Sequence, residues 1–110
     1  MTNAIQVTTP TGQKMSYNAA RAGWLLTSCA PKNVAKGEKL FATLSESDKA
    51  DAQEYAVQTA ARACVVIYEN EGMGAASDEE TRQAKLIAAR SGADYWEIRE
   101  ELNDAIANLC

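Results

Sequence analysis

Alanine restricts this chain more than any other residue. Of its 110 residues, 21 are Ala, against only 18 Ile, Leu, Val and Phe combined. So few bulky hydrophobes would suit a disordered chain, but the net charge of -4 is modest and the apolar residues recur periodically. Alanine is also the strongest helix former. The expectation is a mainly α protein: a small helical bundle of four to five helices with a short N-terminal β-hairpin or arm. The length suits one domain over residues 1–110, with residues 1–17 as hairpin or arm and 19–110 as helical core.

The chain has no histidine. The commonest general base, the Ser-His-Asp arrangement and every His-containing zinc site are therefore excluded. Cys29, Cys64 and Cys110 are odd in number and far apart, so they form no complete disulfide framework and no CxxC pair. Cys29 and Cys64 fall on apolar helical faces and read as small buried hydrophobes, whereas terminal Cys110 reads as exposed. No basic-then-apolar leader opens the sequence, and no apolar run approaches the ~18 residues of a membrane span. A cytoplasmic protein without membrane contact is expected.

Near the N-terminus, Ile5 and Val7 alternate with polar residues, as do Met15 and Tyr17, and Pro10-Thr11-Gly12 lies between them. A short hairpin is expected, which must pack on the helices, pair with another chain or stay a mobile arm. Asn18 is placed to cap a helix over 19–30, in which Ala22, Leu25, Leu26 and Cys29 share one face and Pro31 follows. Trp24 lies off that stripe, at the core's edge or as a partner anchor. Residues 32–44 suit a short helix interrupted by Gly37, with Lys32, Lys36 and Lys39 toward water.

Ser45 with Glu46 and Asp48 marks the start of a long helix to about Asn70. Its ridge of Ala52, Ala56, Ala60, Ala63, Cys64 and Ile67 allows close helix approach, and the 64–68 run reads as the centre of the core. A helix of ~37 Å implies an elongated shape or an oligomer. Glu71-Gly72-Met73-Gly74 reads as a turn and lacks the Lys-Ser/Thr ending of a P-loop. Ser77, with Glu80 three residues on, forms a capping box for a helix to Arg90. Asp94 opens the last helix, whose stripe of Tyr95, Ile98, Leu102, Ala105, Ile106 and Leu109 is the clearest periodic signal present.

Ile87–Ile98 resembles the helix-turn-helix DNA-binding motif, with Ala88, Gly92 four later and Ile98 six beyond at its small, turn and apolar positions. The resemblance implies two helices meeting across a tight turn. In the motif the second helix reads the groove, but here it carries Asp94, Glu97, Glu100, Glu101 and Asp104 against one Arg99, so phosphate would be repelled. Direct nucleic-acid binding is accordingly disfavoured there and would fall to the basic N-terminal half. Glu97-x-x-Glu100 and Glu101-x-x-Asp104, with Asp48-x-x-Asp51-x-x-Glu54, resemble the acidic spacing by which all-α nucleoside triphosphate pyrophosphohydrolases hold magnesium. A solvated helix face accounts for the same carboxylates, and no metal, cofactor or catalytic residue is expected.

Charge along the chain points to partners. Residues 1–44 carry +4 and residues 45–110 carry -8. The acidic half repels phosphate and attracts basic surfaces, and Tyr95 and Trp96 add aromatic anchors beside Glu97, Glu100, Glu101 and Asp104. These six residues are the expected partner-binding set. They suit a non-enzymatic, homo-oligomeric binding module for a basic protein, such as a phage- or plasmid-type inhibitor that covers a nucleic-acid-binding surface. A small DNA-binding regulator is the alternative, and magnesium-dependent nucleotide hydrolysis ranks third.

Overall fold

The computed structural model describes residues 5–28 and 30–109, so the expectations for Cys29 and Cys110 lie outside the described residues. Strands β1 (Gln6–Thr8) and β2 (Lys14–Ser16) precede helices α1 (Tyr17–Leu26), α2 (Pro31–Thr43), α3 (Glu46–Glu71), α4 (Met73–Ser91) and α5 (Tyr95–Leu109). The small mainly α bundle with an N-terminal hairpin expected from sequence is thus the observed fold. The strands are antiparallel, with Val7 opposite Met15, and Thr9 N–H donates to Gln13 C=O across the turn. A two-stranded ribbon alone is marginal, and this one is anchored because Met15 is buried in the helical core.

Local signals decide where helices begin, and neighbours decide which signals are used. Ser16, still extended at the end of β2, accepts from Ala19 N–H at 3.1 Å and caps α1. Asn18 therefore falls within the first turn and does not cap it. The helix stops at Leu26 rather than at Ala30. Thr27 caps the carbonyl of Trp24, and Arg90 of α4 reaches the same end, its guanidinium donating to the C=O groups of Leu25, Leu26 and Ser28 at 3.3, 2.8 and 2.5 Å. Helix α2 runs unbroken through Gly37. A Cβ there would lie 2.9 Å from Leu25 Cβ, so the glycine serves close packing of α2 on α1 and makes no break.

Helix α3 starts where expected, with Ser45 Oγ accepting from Asp48 N–H at 3.2 Å. It is the hub of the bundle, packing against α1, α4 and α5. Its buried face comprises Ala52, Tyr55, Ala56, Val57, Ala60, Ala61 and Cys64. At 26 residues it spans about 39 Å, and the molecule is elongated at 49 × 26 × 23 Å. The 64–68 run is not the core's centre. Cys64 is buried, but Val66 and Tyr68 are 55% and 48% exposed. The ten-residue α1 meets α3 at Ala52 and Tyr55, so it leaves the far end of α3 without a cover on that side. The wholly buried large side chains are instead Leu26, Cys64, Ile87, Ile98 and Leu102.

Gly72 alone separates α3 from α4, at φ 94°. Its carbonyl already accepts from Ala76 N–H, so Met73 and Gly74 form the first turn of α4. The Ser77–Glu80 box consequently lies inside a helix, where Ser77 C=O accepts from the Thr81 hydroxyl and Glu80 turns to α5. Gly92 closes α4, and Asp94 Oδ2 accepts from the N–H groups of Trp96 and Glu97 at 3.0 and 3.2 Å, as its position predicts. The two helices therefore meet across a tight turn. No helix of the described residues is long and apolar enough to cross a membrane.

Candidate functional site

The capped start of α5 fixes the azimuth of every side chain that follows. Ile98, Leu102 and Ala105 point inward and are buried. Residues offset from this stripe by roughly a third of a turn or more must then face a flank or solvent. On one flank, Tyr95 is half-buried against the core and accepts from Arg99 at 2.9 Å. Arg99 also donates to Glu80 at 2.7 Å and to the Thr81 hydroxyl at 2.7 Å, so the cation is committed to α4. The side-chain amide of Asn103 lies against the same Glu80 carboxylate.

The opposite flank and crest of α5 carry Trp96, Glu97, Glu100, Glu101 and Asp104, all exposed. Five of the six expected partner-binding residues thus share one surface, and Tyr95 does not. Tyr95 instead braces Trp96 from beneath, their rings edge to face at 4.9 Å between centroids. Trp96 is 71% exposed, so most of its indole faces solvent. The one cation of this helix, Arg99, faces away, so no positive charge interrupts the carboxylates.

The structure adds a second wall outside the six expected partner-binding residues. Gln53 and Glu54 of α3 lie across a groove from Glu101 and Asp104, a hollow of about 390 Å³. Gln53 donates to Glu101 at 3.1 Å. In the sequence Glu54 is grouped with these carboxylates only through the acidic-spacing resemblance, and nothing marks Gln53, because the pairing of α3 with α5 is a tertiary fact. Burial raises the Glu101 carboxyl above its ordinary value; Gln53 opposes the shift, and the charges of Glu97 and Glu54 reinforce it. The cost of ionising Glu101 is thus mainly desolvation in the groove, with like charge from Glu97 and Glu54 a smaller part.

Other candidate chemistry finds little geometry. Among the described residues no three His, Cys, Asp or Glu side chains gather as a metal ligand set. Cys64 is buried as expected, and burial, with the charges of Glu79 and Glu80, pushes its thiol up to about 11, so it stays protonated at neutral pH. Comparisons with protein-family models, with curated proteins and with solved structures find no match.

Proposed function

We propose that the protein is a non-enzymatic binding module whose α5 face captures a basic protein and covers the surface on which that protein holds nucleic acid. One observation carries this reading: Glu97, Glu100, Glu101 and Asp104 form an exposed carboxylate field beside a protruding Trp96, and Arg99 is turned away to Glu80. Carboxylates spaced along a helix offer negative charge where a partner expects phosphates, while the indole supplies the desolvated anchor on which affinity concentrates.

The test is capture on immobilised chain, followed by competition with the purified partner. A basic protein should be retained, and added duplex DNA should displace it. Trp96→Ala should weaken binding about 30-fold, the usual effect of removing a hot-spot aromatic. Glu97→Lys combined with Glu101→Lys should abolish it. Retention unchanged by both variants, or indifferent to duplex DNA, overturns the reading.

Binding should also depend on pH with a definite sign. The raised Glu101 pKa means that the unbound folded chain holds this proton more tightly than an ordinary carboxylate does, whereas a cationic partner favours the ionised form. Affinity is thus expected to rise with pH through the carboxylate range, with protons released on binding. Calorimetry in buffers of different ionisation enthalpy measures that release, and Glu101→Gln should diminish it.

A further inference from the structure

We propose that the cleft between the hairpin, α1 and α2, on a different face from the carboxylates, is a binding track for single-stranded nucleic acid. The cleft has a volume of about 570 Å³, and Pro10, Tyr17, Arg21, Trp24, Asn33 and Lys36 are among its walls. A neighbouring hollow of about 520 Å³ shares Arg21, Leu25 and Lys36 with it and adds Lys39. The two adjoin along these three shared side chains, and the trough comprises both. No acidic residue lines either part.

The spacing of the walls follows from helix geometry. Tyr17, Arg21 and Trp24 stand at i, i+4 and i+7 on α1, which sets a cation between two aromatic rings along about 10 Å of axis. Lys32, Lys36 and Lys39 repeat that spacing on α2. Gly37 brings the two rows side by side, because α2 can rest on Leu25 only where there is no Cβ. Tyr17 and Trp24 are 49% and 54% exposed. Arg21, Lys36 and Lys39 line the trough, and among the described residues none of the three is held in an ion pair.

A row of exposed aromatic rings with unpaired cations alongside is the chemistry of strand recognition: bases stack on the rings while Arg and Lys follow the phosphates. In a duplex the base faces are already stacked within the helix, so the rings would have nothing to receive. A lone nucleotide would use one ring and one half of the trough. Glu38 lies two residues from Lys36, roughly on the far side of α2, and lines neither hollow. The carboxylates of α5 belong to a helix that does not line the trough, in a molecule more than 20 Å across its narrower axes, and salt screens exposed charge over about 10 Å. The lining of the trough is therefore cationic although the chain as a whole is acidic.

The experiment is fluorescence anisotropy of a labelled oligothymidylate of about twelve residues, titrated with the full chain at about 50 mM salt and above. The strand should bind, at least tenfold more tightly than a duplex of equal length, thymidine monophosphate or poly-glutamate. Trp24→Ala should weaken it fivefold or more, with the circular dichroism spectrum unchanged because this side chain is outside the core. Each lysine on a phosphate contributes about -0.7 to the slope of log affinity against log salt, so Lys36→Gln with Lys39→Gln should flatten that slope by about 1.4. Absence of strand binding at the lowest salt, equal or tighter binding of duplex, mononucleotide or poly-glutamate, or affinity untouched by Trp24→Ala in a folded chain, each overturns the proposal.

Discussion

Truncating Leu102 to alanine will lower the unfolding free energy by about 3 kcal/mol and the melting temperature by roughly 12 °C. Leu102 is wholly buried midway along α5, between Ile98 and Ala105. In a core so dependent on alanine, one leucine fills volume that no neighbour can reach after truncation. Removing it loses the transfer free energy of the missing carbons and leaves a cavity. Leu109, at the end of the same apolar stripe, is 40% exposed, and Leu109→Ala should cost less than about 0.5 kcal/mol. Urea unfolding of both variants checks the contrast. A loss at Leu102 below about 1 kcal/mol would show that α5 is not seated on its buried stripe.

This stripe also shows what the sequence makes legible. Ile98, Leu102 and Ala105 recur with helical period, and period is a local property, so both the helix and its inward face can be read directly. The exposed set of Trp96, Glu97, Glu100, Glu101 and Asp104 then follows as the remainder. Tyr95 keeps its place in the apolar stripe, half-buried against the core, and so falls outside the exposed set in which it is also expected, because position on the helix wheel does not reveal which flank a neighbour covers. Arg99 and its partner Glu80, 19 residues upstream, decide that. The place of Gln53 beside Glu101 is hidden from sequence for the same reason.

Helix ends divide along the same line. Ser45 and Asp94 cap as their sequence context predicts, since nothing nearby competes. Asn18 loses to Ser16 because β2 runs directly into α1 and the last extended residue takes the cap. The Ser77–Glu80 box is overridden because Gly72 by itself satisfies the break, and Glu80 finds a better donor in Arg99. Helix α1 ends earlier than its local sequence predicts: Thr27 and Ser28 close its last turn, and Arg90, far along the chain, adds donors to the same end. Gly37 has the propensity of a helix breaker, whereas its role is to leave room. Each difference lies where a tertiary contact outweighs a local preference worth only about 1 kcal/mol.

Nowhere is that contest sharper than at Gly23, where Gly23→Val is expected to cost about 3 kcal/mol, with a fall of roughly 12 °C in melting temperature. A Cβ at this position would sit 2.7 Å from the carbonyl oxygen of Ala52 and 2.8 Å from the ring of Tyr55. A ring can tilt, but a carbonyl inside α3 cannot move without breaking the ladder, so α1 must lift away from α3. On propensity alone, replacing a mid-helix glycine by alanine should stabilise by about 1 kcal/mol. At Gly23 the sign reverses, and even Gly23→Ala should destabilise. Gly74, in the first turn of α4, supplies the control: a Cβ added there would meet nothing within 4 Å, and Gly74→Ala should stabilise by up to about 1 kcal/mol. Thermal unfolding of the three variants separates the effects. Because Tyr55 and α1 also wall the basic trough, Gly23→Ala should weaken strand binding without touching a single cation, whereas Gly74→Ala should leave it unchanged.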